Sequence, residues 1–129
     1  MMARIPPTAP TTSNSAIGGG GLDKIHASAD QSAIAGGNAN EIHPGAREPF
    51  IGGGFANVID SYGYNSAIGG GAFNVANNAI VASIGGGISN SIQTASTASV
   101  IGGGWNNSIQ ATSAFATIAG GQLAALPIR

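Results

Sequence analysis

The sequence contains no cysteine, so neither disulfides nor thiolate metal sites contribute to its fold. Charged side chains make up only 7% of the 129 residues, against about 25% in ordinary soluble domains. No basic cluster is present, which argues against a nucleic-acid partner. No apolar run approaches the ~20 residues of a membrane-spanning helix, and the first residues lack the apolar segment of a signal peptide. We therefore expect no membrane insertion.

The few charges are concentrated in the first half of the chain. All aspartate, glutamate and lysine residues lie between Asp23 and Asp60, and residues 61–128 contain no charged side chain and no histidine. Such a surface is unfavourable for a soluble monomer, because interspersed charge keeps proteins apart in solution. The distribution predicts that other copies of the chain cover part of the surface.

Glycine is abundant, with 22 residues, and most of it belongs to one repeated motif. The sequence Ile-Gly-Gly-Gly or Ile-Ala-Gly-Gly recurs every 17 residues, with one interval of 16. It begins at Ile17, Ile34, Ile51, Ile68, Ile84, Ile101 and Ile118. We number the repeat from this isoleucine as position 1. Positions 3 and 4 are always glycine, and asparagine at position 7 and isoleucine at position 9 each occur in five of the seven copies.

This repeat predicts one coil of a parallel β-solenoid, or β-roll. Three glycines per repeat would destabilise a helix by about 1 kcal/mol each relative to alanine. In a solenoid, each coil contains two short strands and lies about 4.8 Å from the previous coil. We predict an all-β domain of about seven 17-residue coils over residues 15–125, with a linker or disordered arm at 1–14 and a tail or cap at 126–129.

The repeat positions also predict a core and a turn ladder. The isoleucines of positions 1 and 9 should point inward and stack on their copies in neighbouring coils. Besides the seven at position 1, the predicted core contains Ile25, Ile42, Ile59, Ile92 and Ile109. The asparagines of position 7 should adopt the left-handed conformation, close tight turns and stack their amides. They are Asn40, Asn57, Asn74, Asn90 and Asn107.

The motif resembles the repeats of two kinds of fibrous protein. Ser-Ala-Ile-Gly-Gly-Gly and Ala-Ser-Ile-Gly-Gly-Gly resemble the head repeats of YadA-like trimeric autotransporter adhesins, and Ile-Gly-Gly-Gly-x-x-Asn is similar to repeats of bacterial and phage tail-fibre-like proteins. The resemblance covers about residues 15–122. It implies a side-by-side homotrimer at a cell surface or in a virion fibre, and a host-surface protein or glycan as partner. The period of 17 is longer than in the typical adhesin head coil.

Position 10 holds a candidate metal site, because His26, His43 and Asp60 occupy it in adjacent coils. Imidazole and carboxylate groups are common ligands of divalent metals. A surface ladder of polar side chains, continued by Asn77, Gln93 and Gln110, explains the same column. We favour the ladder, since a metal site also requires groups that orient its ligands.

Residues 43–49 form a second candidate site, because they interrupt the pattern of small residues. They include two prolines, which fit a central strand poorly, and together with Glu41 they carry the densest charge. A protruding loop or an edge is predicted here, with either a recognition role or no role beyond solvation. The recognition residues would be Glu41, His43, Arg47 and Glu48.

Nothing in the sequence predicts a catalytic site or a cofactor. The glycine motif lacks the lysine and the following helix of a phosphate-binding loop. No nucleophile–base arrangement or carboxylate pair stands out. Phe55 and Trp105 share position 5, where they are predicted to fill gaps between packed coils.

The sequence therefore predicts a non-enzymatic structural or adhesive fibre module. An ice-binding solenoid is one alternative, but it requires a flat threonine ladder. The threonines in the second half do not share one repeat position: Thr94, Thr97, Thr112 and Thr117. The shaft of a polysaccharide-acting tail spike is another alternative, and it requires acidic residues facing a groove.

Overall fold

The computed structural model describes residues 13–126, which form an all-β solenoid of seven stacked coils. This confirms the predicted fold class. Each coil contributes one two-residue strand to each of two parallel seven-stranded sheets. Within this range no helix is long and apolar enough to cross a membrane.

The strands alternate between the two sheets along the chain. In chain order they are β1 (Ala16–Ile17), β2 (Lys24–Ile25), β3 (Ala33–Ile34), β4 (Glu41–Ile42), β5 (Phe50–Ile51), β6 (Val58–Ile59), β7 (Ala67–Ile68), β8 (Val75–Ala76), β9 (Ser83–Ile84), β10 (Ser91–Ile92), β11 (Val100–Ile101), β12 (Ser108–Ile109), β13 (Thr117–Ile118) and β14 (Ala125–Leu126). Odd-numbered strands form one sheet, the odd sheet, and even-numbered strands form the other, the even sheet. Equivalent repeat positions pair throughout, as in Ile17 with Ile34 and Ile25 with Ile42.

The core lies between the two sheets. The isoleucines of positions 1 and 9 are at most 6% exposed, apart from the half-buried Ile17 in the first coil. Because each strand is only two residues long, the alternation of side chains places one of them inside and the other outside. Alanine, serine and asparagine fill the remaining interior, including Ala29, Ala46, Ala79, Ser66 and Ser99.

The asparagines of position 7 form a buried ladder. Asn57 is fully buried, and its Nδ2 donates to Asn40 Oδ1 (3.1 Å) and to the carbonyls of Gly53 and Gly71 (both 2.9 Å). The predicted left-handed conformation of these residues is wrong. It belongs to position 6, as at Ala56 with φ 54°. The corner residue therefore turns the backbone, and the asparagine that follows points inward to satisfy the glycine carbonyls.

The solenoid begins and ends slightly beyond the predicted boundaries. The Ser13 carbonyl accepts a hydrogen bond from Gln31 N (2.8 Å), and Leu126 belongs to β14. The rest of the predicted arm and tail, residues 1–12 and 127–129, lies outside the described residues.

Candidate functional site

The outer face of the even sheet carries a cluster of titratable side chains, His26, Glu41, His43 and Asp60, which we call the His–Glu cluster. Position 9 of this sheet points into the core, so positions 8 and 10 point outward. Strands β2, β4 and β6 are neighbours in the sheet. Their pairing brings Glu41, at position 8 of the second coil, beside His26 and His43, at position 10 of the first and second coils. Asp60, at position 10 of the third coil, lies beside His43.

Glu41 lies between the two imidazoles of the cluster. Its Oε1 is 2.8 Å from His26 Nε2, and its Oε2 is 3.2 Å from His43 Nε2. The two rings pack edge to face with centroids 5.4 Å apart. The other nitrogen of His43, Nδ1, is 2.8 Å from Asp60 Oδ1, which also accepts a hydrogen bond from Ser61 N (2.8 Å). Both ring nitrogens of His43 thus face carboxylates.

These contacts favour the charged forms of three members. Desolvation raises the pKa of Glu41, but hydrogen bonds from His26 and His43 outweigh it and hold the pKa below the usual 4.5. Desolvation lowers the pKa of His43, but hydrogen bonds to Asp60 and Glu41 outweigh it and raise the pKa above 6.5. Desolvation likewise raises the pKa of Asp60, and hydrogen bonds from Ser61 N and His43 bring it below 3.8.

We expect the cluster to stabilise the fold most in weakly acidic solution. The contribution of His43 is complete below its unfolded pKa of 6.5 and is lost as pH rises through the raised folded value. The contributions of Glu41 and Asp60 are complete above 4.5 and 3.8 and are lost as pH falls through their lowered values. The window between 4.5 and 6.5 therefore satisfies all three.

Urea unfolding in the presence of EDTA checks this, with His43→Gln as the reference variant. The stability advantage of the natural protein over His43→Gln should be larger at about pH 5.5 than at about pH 9. The side chains are 30–36% exposed, so solvent screening keeps the difference small. An advantage that does not change between the two pH values would contradict the assigned ionisation.

The sequence suggests His26, His43 and Asp60 as the candidate metal ligands, but the structure brings together His26, His43 and Glu41 instead. Asp60 contacts the far nitrogen of His43, while the ligating atoms of His26, Glu41 and His43 lie within 4.8 Å of one another. Sequence reasoning missed Glu41 as a member of this group. Glu41 pairs in register with Lys24 of β2, and both occupy position 8. Because positions 8 and 10 point to the same outer face, the sequence already indicated that Glu41 could reach the two histidines.

The predicted protruding loop at residues 43–49 is wrong. The segment follows the path of the other coils: Gly45 N donates to Ser28 O (3.1 Å), Glu48 N donates to Asp30 O (2.9 Å), and Ala46 is fully buried. The four predicted recognition residues also separate into two places. Glu41 and His43 belong to the His–Glu cluster. Arg47 and Glu48 border a shallow depression of about 250 Å³ together with Tyr64 and Asn65.

The sequence predicts that Phe55 and Trp105 of position 5 fill gaps between packed coils, but both lie on the outer surface of the chain. Phe55 is 46% exposed and Trp105 is 49% exposed. Phe55 packs edge to face against Phe73, with ring centroids 5.3 Å apart. The interior next to position 5 is occupied by the buried asparagines, which leaves no gap for a large ring.

Comparison with known proteins identifies no relative of this chain. No protein-family model, curated protein or solved structure gives a significant match to the chain.

Proposed function

We propose that the chain is a non-enzymatic structural and adhesive fibre module that assembles side by side as a homotrimer. The observation that carries the proposal is a line of large apolar side chains on the outside of the solenoid. This apolar stripe consists of Leu22, Phe55, Phe73, Ile88, Trp105 and Leu123, which are 46–60% exposed.

The stripe follows the axis of the solenoid. Phe55, Ile88 and Trp105 belong to the single-residue ladder of position 5, which pairs from Gly21 to Gln122. Half-exposed aromatic and aliphatic side chains of this size present roughly 500 Å² of apolar surface, which is at the upper end for the largest patch of a monomer. Burial against a second copy would remove that surface from water.

A second apolar area supports a cyclic assembly over a two-fold dimer. Ile80, Val81 and Phe115 are 39%, 51% and 80% exposed, and they lie three or four residues before the isoleucine that begins the next coil. These positions lie across the odd sheet from the stripe. Contact between two different surfaces repeats head to tail, and it closes into a ring when the rotation allows. The stripe of one copy would face the second area of the next.

The charge distribution supports the same assembly. Seven of the nine side chains in the two apolar areas lie within residues 61–126, and this stretch contains no charged side chain. Like charges would therefore not oppose the approach of two copies along this length. The charged His–Glu cluster lies on the even sheet, away from both apolar areas.

The scaffold suits a mechanical role. Backbone hydrogen bonds connect each coil to the next in both sheets and at the position 5 ladder. Each coil contacts only its neighbours, so the array forms a continuous rod. We place such a rod outside the cell, at a cell surface or in a virion fibre, where its lateral surface would bind a host-surface protein or glycan.

Sedimentation equilibrium of the purified chain tests the assembly. We expect a species of three times the 12.5 kDa chain mass. Trp105→Ser in the stripe and Phe115→Ser in the second area should each shift the equilibrium towards monomer, because each removes one half of a head-to-tail contact. The control is Gln110→Ser, which should leave the trimer unchanged. Gln110 is a half-buried polar residue in the same coil as Trp105 and directly follows β12 of the even sheet.

The outcomes separate the possible assemblies. A folded, soluble monomer at all concentrations would refute the trimer. Loss of association in Trp105→Ser with no effect of Phe115→Ser would instead indicate a two-fold dimer through the stripe.

A further inference from the structure

We propose that the His–Glu cluster binds one zinc-like divalent transition-metal ion through His26 Nε2, the Glu41 carboxylate and His43 Nε2. The ligating atoms of these three side chains lie within 4.8 Å of one another. Two imidazole nitrogens and a carboxylate oxygen are ligands that Zn²⁺ accepts, at about 2.0–2.2 Å each. An ion between them would require only small side-chain movements.

The strongest support is the contact on the far side of His43. A metal-bound histidine usually donates its other ring N–H to a carboxylate, which orients the ring and fixes its tautomer. Asp60 Oδ1 lies 2.8 Å from His43 Nδ1, and Ser61 N holds that carboxylate with a bond of 2.8 Å. With the Nδ1 proton held by Asp60, release of the Nε2 proton to solvent would leave a lone pair directed at the Glu41 side of the ring. A plain ladder of polar side chains does not require this arrangement.

The carboxylate of Glu41 already occupies the place where the two imidazoles converge. Its two oxygens lie 2.8 Å from His26 Nε2 and 3.2 Å from His43 Nε2. A divalent ion bound between these atoms would displace the protons of His26 Nε2 and His43 Nε2 to solvent, and the carboxylate of Glu41 would remain as a charged ligand. Lys24, the register partner of Glu41, takes no part in the ion pairs of the described residues and leaves the carboxylate available.

The backbone beneath the site is regular and hydrogen-bonded. Glu41 lies in β4, and His26 and His43 directly follow β2 and β4. The amides of His26 and His43 still donate to Ile42 O and Ile59 O (both 2.9 Å), so both histidines have a hydrogen-bonded backbone. Ligands on such regular backbone are positioned more accurately than ligands on loops. The three ligands come from the first two coils, and the orienting Asp60 comes from the third. Metal binding would therefore connect three coils, and its partly exposed position leaves further coordination sites to water.

Isothermal titration of the full chain with ZnCl₂, after removal of metals with EDTA, tests the proposal. We expect one Zn²⁺ per chain with a dissociation constant in the micromolar range, and a rise in melting temperature that grows with Zn²⁺ concentration. CaCl₂ should produce neither effect, because Ca²⁺ prefers oxygen ligands in larger number. Co²⁺ in place of Zn²⁺ should give a visible d–d absorption that reports nitrogen and oxygen coordination.

A matched pair of variants locates the site. Glu41→Gln should weaken Zn²⁺ binding by more than about 100-fold, while Glu48→Gln, an exposed carboxylate outside the cluster, should have no effect. Asp60→Asn should weaken binding by about 10–100-fold and leave the stoichiometry unchanged, since Asp60 orients His43 without touching the ion. Circular dichroism would check that each variant keeps its fold.

Two results would overturn the proposal: no saturable Zn²⁺ binding by the natural chain, or equal weakening by Glu41→Gln and Glu48→Gln. All four side chains belong to one chain, so binding should also persist in Trp105→Ser. The metal site and the proposed trimer can thus fail separately.

Discussion

Replacing Gly54 by alanine should destabilise the solenoid by about 3–5 kcal/mol, enough to prevent folding of the middle coils. Gly54 is at repeat position 4 with φ +94°, a conformation that residues with a Cβ adopt at a cost. A Cβ on Gly54 would overlap the carbonyl oxygen of Gly71 in the next coil and lie 2.8 Å from Asn57 Nδ2. The clash would force two coils apart.

The separation would break several hydrogen bonds at once. The Gly71 carbonyl accepts from Phe55 N and from Asn57 Nδ2, both at 2.9 Å. Buried groups left without partners cost about 1–3 kcal/mol each. Since each coil is stabilised mainly by its neighbours, a gap in the middle divides the array into two shorter and weaker pieces.

Gly86→Ala is the matched control. Gly86 is also one of three consecutive glycines, at position 3, but a Cβ there meets nothing within 4 Å, and its φ lies outside the left-handed region. We expect a change in stability within about 0.5 kcal/mol. Urea unfolding followed by circular dichroism compares the two variants. Equal stability of Gly54→Ala and Gly86→Ala would mean that the coils are not packed as closely as the structure has them.

The difference between these two glycines indicates what the sequence could predict. The period of the motif predicts the coil, because a position that accepts only one residue type must show that residue once per coil. Position 4, where Gly54 lies, and position 1, where Ile51 lies, both do so. Whether a side chain near a turn points inward or outward is harder to predict, since neighbouring residues point to opposite faces. For this reason the sequence predicts the turn at Asn57, although Ala56 forms it, and it predicts that Phe55 fills a gap between packed coils, although Phe55 lies on the outer surface.

The candidate site was predictable to a similar extent. Equal repeat positions must stack, so the proximity of His26 and His43 follows from the sequence. The bridging role of Glu41 depends on side-chain reach across two strands, which the period does not specify.

The prolines of residues 43–49 led to the wrong prediction of a protruding loop for another reason. Pro44 occupies position 11, where Ala27 and Thr94 donate no ladder hydrogen bond in the described part of the chain, so proline removes nothing that the coil needs.

The asparagine ladder leads to the second large effect: Asn57→Asp should destabilise the protein by about 3–5 kcal/mol. Asn57 is fully buried, and its Nδ2 donates to Asn40 Oδ1, Gly53 O and Gly71 O. Aspartate has nearly the same shape but places an oxygen where this donor stands. The new oxygen would face three acceptors without water, which is far more costly than the loss of the bonds alone.

Asp23→Asn is the reciprocal experiment at the first coil. Asp23 is 1% exposed, and its Oδ2 has no hydrogen-bond partner among the described residues. This oxygen takes the place of the ladder Nδ2: a Cβ on Gly20 would lie 2.6 Å from it, as a Cβ on Gly37 would from Asn40 Nδ2. An asparagine at residue 23 would donate to the carbonyls of Gly19 and Gly37, and we expect a gain of about 1–3 kcal/mol.

Hydrogen exchange of the backbone amides can measure both substitutions locally. In Asp23→Asn, protection should increase at the first two coils, including the amide of Lys24, which bonds to Asn40 O. A gain of 1.4 kcal/mol corresponds to about tenfold slower exchange. In Asn57→Asp, protection should fall at the third coil and its neighbours first, because coupling between coils is local. If Asn57→Asp lost no stability, or Asp23→Asn gained none, hydrogen bonding by the buried amides would not be what holds successive coils in register.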